Sequence, residues 1–62
     1  MSDDIRELIK DMLEAEEFML NLYKKCCAET KNKKIAKVLE LIAQDEKKHA
    51  ENAKMMLKIV DE

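Results

Sequence analysis

Glu46 and His49 are the residues of this chain whose types and spacing are best suited to chemistry. Residues three apart lie on the same face of a helix. Both interrupt an apolar stripe that consists of Ile35, Leu39, Ile42, Ala53, Met56 and Val60. A carboxylate and an imidazole in an apolar seam are costly unless a partner satisfies them, and a metal ion satisfies both. The spacing therefore indicates a metal site; the alternative is a surface histidine that pairs with Asp45.

A third candidate ligand, Glu16, lies in the first half of the chain. Apolar residues recur there at intervals of three and four, which predicts a helix from about residue 3 to about residue 28. The predicted stripe contains positions 5, 9, 12, 16, 19, 23 and 26. Glu16 therefore stands where an apolar residue is expected, whereas Glu14 and Glu17 fall off the stripe and are predicted to be solvated.

A polar interruption separates this helix from a second predicted helix, which runs from about 33 to 60. The interruption contains Thr30 and Asn32, which are suitable helix caps, and it predicts a turn at about 29–32. Because the chain has no Pro and no Gly, one continuous helix is the alternative. A short polar break with cap residues favours the antiparallel hairpin.

The hairpin would bring the three polar interruptions to one level. At ~1.5 Å per residue, Glu16 lies as far before the turn as Glu46 and His49 lie after it, to within about one helical turn. One hairpin then supplies two carboxylates and one imidazole. A second copy, related by a two-fold axis, would double this ligand set and would also cover the apolar stripe that a short chain cannot bury alone.

These residues resemble one half of a rubrerythrin or ferritin-like di-iron domain. Helix one carries Glu16 followed seven residues later by Tyr23, similar to the Glu and Tyr of that family. Helix two carries Glu46, His49 and Ala50, similar to its Glu-x-x-His-Ala signature. The interval from Glu16 to Glu46 also resembles that of the encapsulated ferritins, two-helix chains that build their iron site across a subunit interface.

The resemblance implies an all-α fold in which residues 1–62 form a single half-domain. Its two-helix antiparallel hairpin would dimerise into a ferritin-like four-helix bundle. Glu16, Glu46 and His49 would bind the metal, with Glu46 as the bridge between two ions, and Tyr23 would hydrogen-bond a ligand carboxylate. The implied cofactor is iron, two ions per dimer, although manganese or zinc can occupy such a site. The implied activity is that of a ferroxidase or rubrerythrin-like peroxidase, which oxidises ferrous iron with oxygen or peroxide.

Composition narrows the range of partners. The 12 basic and 14 acidic residues give a net charge of −2, so we expect no nucleic-acid partner. No apolar run reaches the roughly 18 residues of a membrane span, and the acidic N-terminus is unlike a signal peptide. We therefore expect a cytoplasmic protein, or one within a protein compartment, that forms a dimer or a larger ring and reacts with a small-molecule oxidant. A non-enzymatic dimerisation or adaptor hairpin is the alternative function.

The two cysteines, Cys26 and Cys27, are adjacent in the sequence. Neighbours on a helix point about 100° apart, so these thiols cannot form a disulfide with each other without breaking the helix. We predict that Cys26 is a small core residue and that Cys27 lies on its flank. Four methionines are also expected to fill the core: Met12, Met19, Met55 and Met56.

Overall fold

The computed structural model describes residues 3–62 and shows two helices joined by a short turn. Helix α1 spans Asp3–Glu29 and helix α2 spans Lys33–Val60. The helices pack against each other in a rod 46 Å long. The all-helical prediction is confirmed, and the alternative of one continuous helix is wrong. Neither helix, over the residues described, is long and apolar enough to cross a membrane.

Side-chain caps build the turn between the helices. The Asn32 side chain accepts hydrogen bonds from the backbone N–H groups of Lys34, at 3.0 Å, and Ile35, at 3.1 Å. These bonds satisfy two of the donors that the first turn of α2 leaves unpaired. Thr30 Oγ1 accepts from the N–H of Asn32 at 3.2 Å. The turn needs no glycine, because no residue between 3 and 62 has a positive φ.

A seam of positions spaced three and four apart joins the helices. On α1 the seam consists of Arg6, Ile9, Leu13, Glu16, Leu20, Tyr23 and Cys27. On α2 it consists of Ala36, Leu39, Ala43, Glu46, Ala50, Ala53, Leu57 and Val60. The most deeply buried of these are Ile9, Ala50 and Ala53. Small side chains at a helix contact allow the two backbones to approach closely.

A second apolar surface lies beside the seam, and each of its positions directly precedes a seam position. We call it the exposed apolar face: Ile5, Leu8, Met12, Met19, Leu22 and Cys26 on α1, with Ile35, Val38, Met56 and Ile59 on α2. A step of one residue back along a helix rotates about 100°. The helices are antiparallel, so the same rotation on each helix brings both stripes to one side of the hairpin.

The apolar stripe predicted on α1 was wrong at four positions, because Ile5, Met12, Met19 and Cys26 are exposed. On α2, Ile35 and Met56 are exposed as well. Each predicted stripe contains residues of the seam and residues of the exposed apolar face. The prediction therefore combined two surfaces, one that lies between the helices and one that the hairpin leaves exposed.

The predicted positions of the cysteines were reversed. Cys26 is exposed and belongs to the exposed apolar face. Cys27 is half-buried in the seam, where its thiol donates a weak hydrogen bond to the carbonyl of Ala36 with a sulfur–oxygen distance of 3.6 Å. The four methionines expected in the core are between 36% and 61% exposed, so they do not fill the core of a single hairpin.

Candidate metal centre

Glu16, Glu46 and His49 meet halfway along the hairpin. Glu16 lies 13 residues from both ends of α1, and Glu46 lies 13 residues from the start of α2. One ligand atom from each of the three side chains lies within 4.8 Å of the others. The structure thus brings together the three residues that the sequence placed at one level. Their role as metal ligands stays a prediction.

The two surfaces of the hairpin supply different ligands to this group. Glu16 and Glu46 occupy seam positions, and their side chains are 29% and 18% exposed. His49 directly precedes the seam residue Ala50, so it belongs to the side of α2 that carries the exposed apolar face. Its side chain is 55% exposed. The carboxylates therefore lie between the helices, and the imidazole lies at the edge of the group, where a further molecule could reach it.

The distances suit donors arranged around a common ion. His49 Nδ1 lies 3.6 Å from Glu16 Oε2 and 3.7 Å from Glu46 Oε1. Two donors bound to one ion at about 2.1 Å are separated by about 3–4 Å, so these spacings fit a metal centre. The ionic partners of His49 within residues 3–62 are these two glutamates. The alternative pairing with Asp45 is not observed there.

Crowding of the carboxylates is the main electrostatic feature of the group. A hydrogen bond with Glu16 raises the pKa of Glu46 above its ordinary value, because it favours the protonated carboxyl. Partial burial and repulsion from the Glu16 charge act in the same direction, while His49 opposes them. A cation between the two glutamates would relieve this repulsion. The electrostatics and the spacing therefore both fit a metal ion.

Tyr23 lies on the seam two helical turns after Glu16 and is half-buried. Its hydroxyl makes no hydrogen bond to any other residue between 3 and 62. The predicted hydrogen bond from Tyr23 to a ligand carboxylate therefore stays a prediction. Glu14 and Glu17 are exposed, as the sequence predicted.

Sequence reasoning gave no packing role to the small residues beside the group. Ala43 and Ala50 occupy the seam positions on either side of Glu46. Their size leaves room between the helices for two carboxylates at one level. The signal was the recurrence of alanine every seven residues, at 36, 43 and 50.

A family model described as rubrerythrin matches residues 1–58 of the chain. The chain belongs to the rubrerythrin family. No curated protein and no solved structure matches it significantly. The match confirms the resemblance drawn from Glu16, Tyr23, Glu46 and His49. Membership in the rubrerythrin family implies iron binding, and the carboxylate–imidazole group provides suitable donors for iron.

Proposed function

We propose that this member of the rubrerythrin family is a di-iron carboxylate protein that oxidises ferrous iron with oxygen or peroxide. The observation that carries the proposal is the convergence of Glu16, Glu46 and His49 halfway along the hairpin. Three donor side chains are too few for two iron ions. Two copies of the chain would supply four glutamates and two histidines, the ligand set of ferritin-like di-iron bundles. The metal site would therefore form between two subunits.

Each side chain has a separate task in this proposal. Glu46 is the less exposed carboxylate and would bridge the two ions, while Glu16 would bind one of them. His49 would bind through one ring nitrogen from the edge of the seam. Bound iron supplies the redox chemistry, since two ferrous ions can give two electrons to oxygen or peroxide. The donors are oxygen and imidazole without thiolate, so manganese or zinc could also occupy the site.

The protein itself contributes position and exclusion of water. The seam holds the two glutamates against each other before any ion arrives, so their geometry does not have to be organised on binding. The neighbouring seam positions Leu20 and Ala50 are apolar, and the carboxylates are partly shielded, at 29% and 18% exposure. The side of the group at His49 stays open in a single hairpin, and a second copy would close it.

Anaerobic titration with ferrous iron tests the proposal. The expected result is about one iron per chain, because each dimer holds two ions. Exposure to oxygen or peroxide should then produce the near-ultraviolet absorbance of carboxylate-bound ferric iron faster than in protein-free buffer. Iron binding without faster oxidation would leave a metal site and remove the enzymatic activity. Absence of iron binding would favour the adaptor hairpin instead.

A further inference from the structure

The charged residues of this chain are divided between two regions of opposite sign. Residues 24–37, which surround the turn, carry six of the 12 basic residues and one of the 14 acidic residues, a formal charge of +5. The rest of the chain therefore carries six basic and 13 acidic residues, a formal charge of −7. The net charge of −2 is thus the sum of a strongly basic region and an acidic remainder. We call the lysines of the first region the basic end: Lys24, Lys25, Lys31, Lys33, Lys34 and Lys37.

We propose that the basic end binds the surface of a membrane that contains anionic phospholipids, so that the hairpin stands on its turn. The inference goes beyond the proposed function, because it involves neither iron nor a second copy of the chain. Clusters of roughly four to eight basic residues bind anionic lipid surfaces through charge, without a membrane-spanning helix. Glu16 lies 13 residues before the end of α1, so the metal group would lie about 20 Å from the lipid surface.

The basic end is available to an anionic partner. All six of its lysines are exposed. The ion pairs within the described part of the chain involve other side chains, namely Arg6, Lys10 and His49 with their carboxylate partners. Because six ammonium groups in one place repel one another, a surface of opposite charge lowers their electrostatic energy.

A second copy on the exposed apolar face would leave these lysines uncovered. Lys24 and Lys37 directly follow seam positions, so they lie on the side of the hairpin away from the exposed apolar face. Lys25 and Lys34 lie two positions before seam residues, on the outer side of each helix. The remaining two lysines belong to the turn and to the first position of α2. The basic end therefore stays open in a dimer as well as in a single hairpin.

The position of the basic end along the rod suits a flat charged surface. Lys24 lies five residues before the end of α1, and Lys37 lies four residues after the start of α2. At ~1.5 Å per residue, all six lysines lie within about 8 Å of the turn, which is one screening length at physiological salt. The nearest acidic residues outside this region, Glu40 and Glu17, lie about 10 Å and about 18 Å from the turn. A surface that touches the turn is therefore attracted by the lysines, while salt screens most of the acidic remainder.

The composition of the basic end favours a lipid surface over nucleic acid. Proteins that read base edges use arginine, and proteins that bind single strands stack bases on aromatic side chains. Residues 24–37 contain neither arginine nor an aromatic residue. Lysine instead supplies a compact charge on a flexible stem, which suits lipid headgroups that have no fixed arrangement. A long nucleic acid that lay along the rod would also meet the acidic remainder, which repels it.

The tip of the rod lacks the features of a protein-binding surface. Interfaces between proteins have a buried apolar centre, often with an aromatic side chain. Residues 28–34 contain no large apolar side chain. The Cα atoms of the rod span 14 × 10 Å in cross-section, which is small beside the roughly 800 Å² that each partner buries in a standard interface. Electrostatic binding to lipid needs neither an apolar centre nor a large contact area.

Co-sedimentation with lipid vesicles tests the proposal. The protein should bind vesicles of equal parts phosphatidylglycerol and phosphatidylcholine more tightly than vesicles of phosphatidylcholine alone, by a factor of roughly ten or more. Each lysine near an anionic surface strengthens binding about fivefold, so the triple variant Lys31→Gln, Lys33→Gln, Lys34→Gln should bind about 100-fold more weakly. Binding should also be lost in 1 M salt, where the screening length is about 3 Å.

A matched control makes the same change of charge far from the turn. The triple variant Lys10→Gln, Lys54→Gln, Lys58→Gln changes positions that lie about 28 Å or more from the turn, so it should bind anionic vesicles as the parent does. Lysine and glutamine have similar helix propensities, so both triple variants should keep their helical signal in circular dichroism. If the first triple variant fails to fold, Lys24→Gln with Lys37→Gln keeps the test decisive, with an expected loss of about 25-fold.

Several results would overturn the proposal. They are no binding to the anionic vesicles, equal binding to anionic and neutral vesicles, equal loss of binding in the two triple variants, or tighter binding to duplex DNA than to the anionic vesicles. Vesicle binding is measured without added iron, so its outcome is separate from that of the iron titration. Vesicle binding by protein that takes up no iron would refute the proposed function and leave this inference. Iron binding without vesicle binding would do the reverse.

Discussion

The seam and the exposed apolar face of this hairpin differ in how far their side chains are buried. The buried side chains of the seam are Ile9 and two alanines, Ala50 and Ala53. Larger seam side chains such as Leu13 are half-buried, whereas Leu8, at 58% exposure, and Val38, at 55%, lie open on the exposed apolar face. Apolar burial stabilises by about 25 cal/mol per Å². Covering the exposed apolar face would therefore add stabilisation that the hairpin alone does not gain.

The metal group spans the two surfaces. Its carboxylates belong to the seam, so a single chain can position them. Its imidazole lies on the other surface, so its surroundings change when that surface is covered. Assembly and metal binding should consequently be coupled, whereas the contact between α1 and α2 should be affected mainly by changes within the seam.

The largest effect is expected from a charge on the exposed apolar face. Leu22→Asp should abolish self-association and remove most of the helical signal at micromolar concentration, because a buried unpaired carboxylate costs several kcal/mol, on the order of the whole stability of a small domain. Sedimentation and circular dichroism measure both losses. Phe18→Asp is the control: Phe18 is 64% exposed but lies outside this face, so its replacement should leave dimers intact. Equal loss in both variants would show that the two surfaces have been drawn incorrectly.

A smaller effect is expected from overpacking the seam. Ala53 is 2% exposed, so Ala53→Leu forces the helices apart and should destabilise the protein by about 1–3 kcal/mol. Urea denaturation measures this loss. Ala28→Leu, at an exposed position near the end of α1, should change the stability by no more than about 0.5 kcal/mol. A tolerated leucine at 53 would mean that the helices are not in close contact there.

The difference between the surfaces also explains what could be predicted from the sequence. The intervals of three and four predicted both helices, and the cap residue Asn32 marked the start of the second. The interruptions at Glu16, Glu46 and His49 indicated the group that the structure brings together. Apolar periodicity, however, does not distinguish the surface that packs within one chain from an apolar surface that the chain leaves exposed. It could not show which of two neighbouring stripes faces the other helix of the same chain, and the error at Cys26 and Cys27 follows from this.

The smallest effect is expected at the open end of the seam. Arg6 pairs there with Asp61, and both side chains are well exposed, at 39% and 50%. Exposed ion pairs contribute about 0–1 kcal/mol, so Arg6→Ala should lower the stability by no more than that. The difference from the parent should vanish in 1 M salt, where the screening length is about 3 Å. A loss above about 2 kcal/mol that persists in salt would show that the seam depends on this contact.

Without metal, the crowding of Glu16 and Glu46 should destabilise the parent protein. A variant that lacks one of these carboxylates should not be destabilised in this way. The pKa of Glu46 is raised in the folded chain, so the folded state favours the protonated carboxyl. The stabilisation that comes from the protonated Glu46 carboxyl is present at low pH and is lost as the pH rises through the folded pKa of Glu46. At neutral pH, Glu16→Ala should therefore leave the melting temperature of the metal-free protein unchanged or higher. The melting temperature without metal is therefore the reference value for each variant. It does not show whether a metal-binding side chain has been lost.

The response of the melting temperature to ferrous iron under anaerobic conditions tests the central claim most directly. Ligand at 100 times its Kd stabilises by about 2.7 kcal/mol, which raises the melting temperature of a small domain by roughly 10 °C or more. Glu16→Ala, Glu46→Ala and His49→Ala should each abolish this rise, while Glu17→Ala, which removes an exposed carboxylate, should respond like the parent. If Glu17→Ala loses the response and Glu16→Ala keeps it, or if none of the four variants differs from the parent, the claim that Glu16, Glu46 and His49 hold iron is wrong.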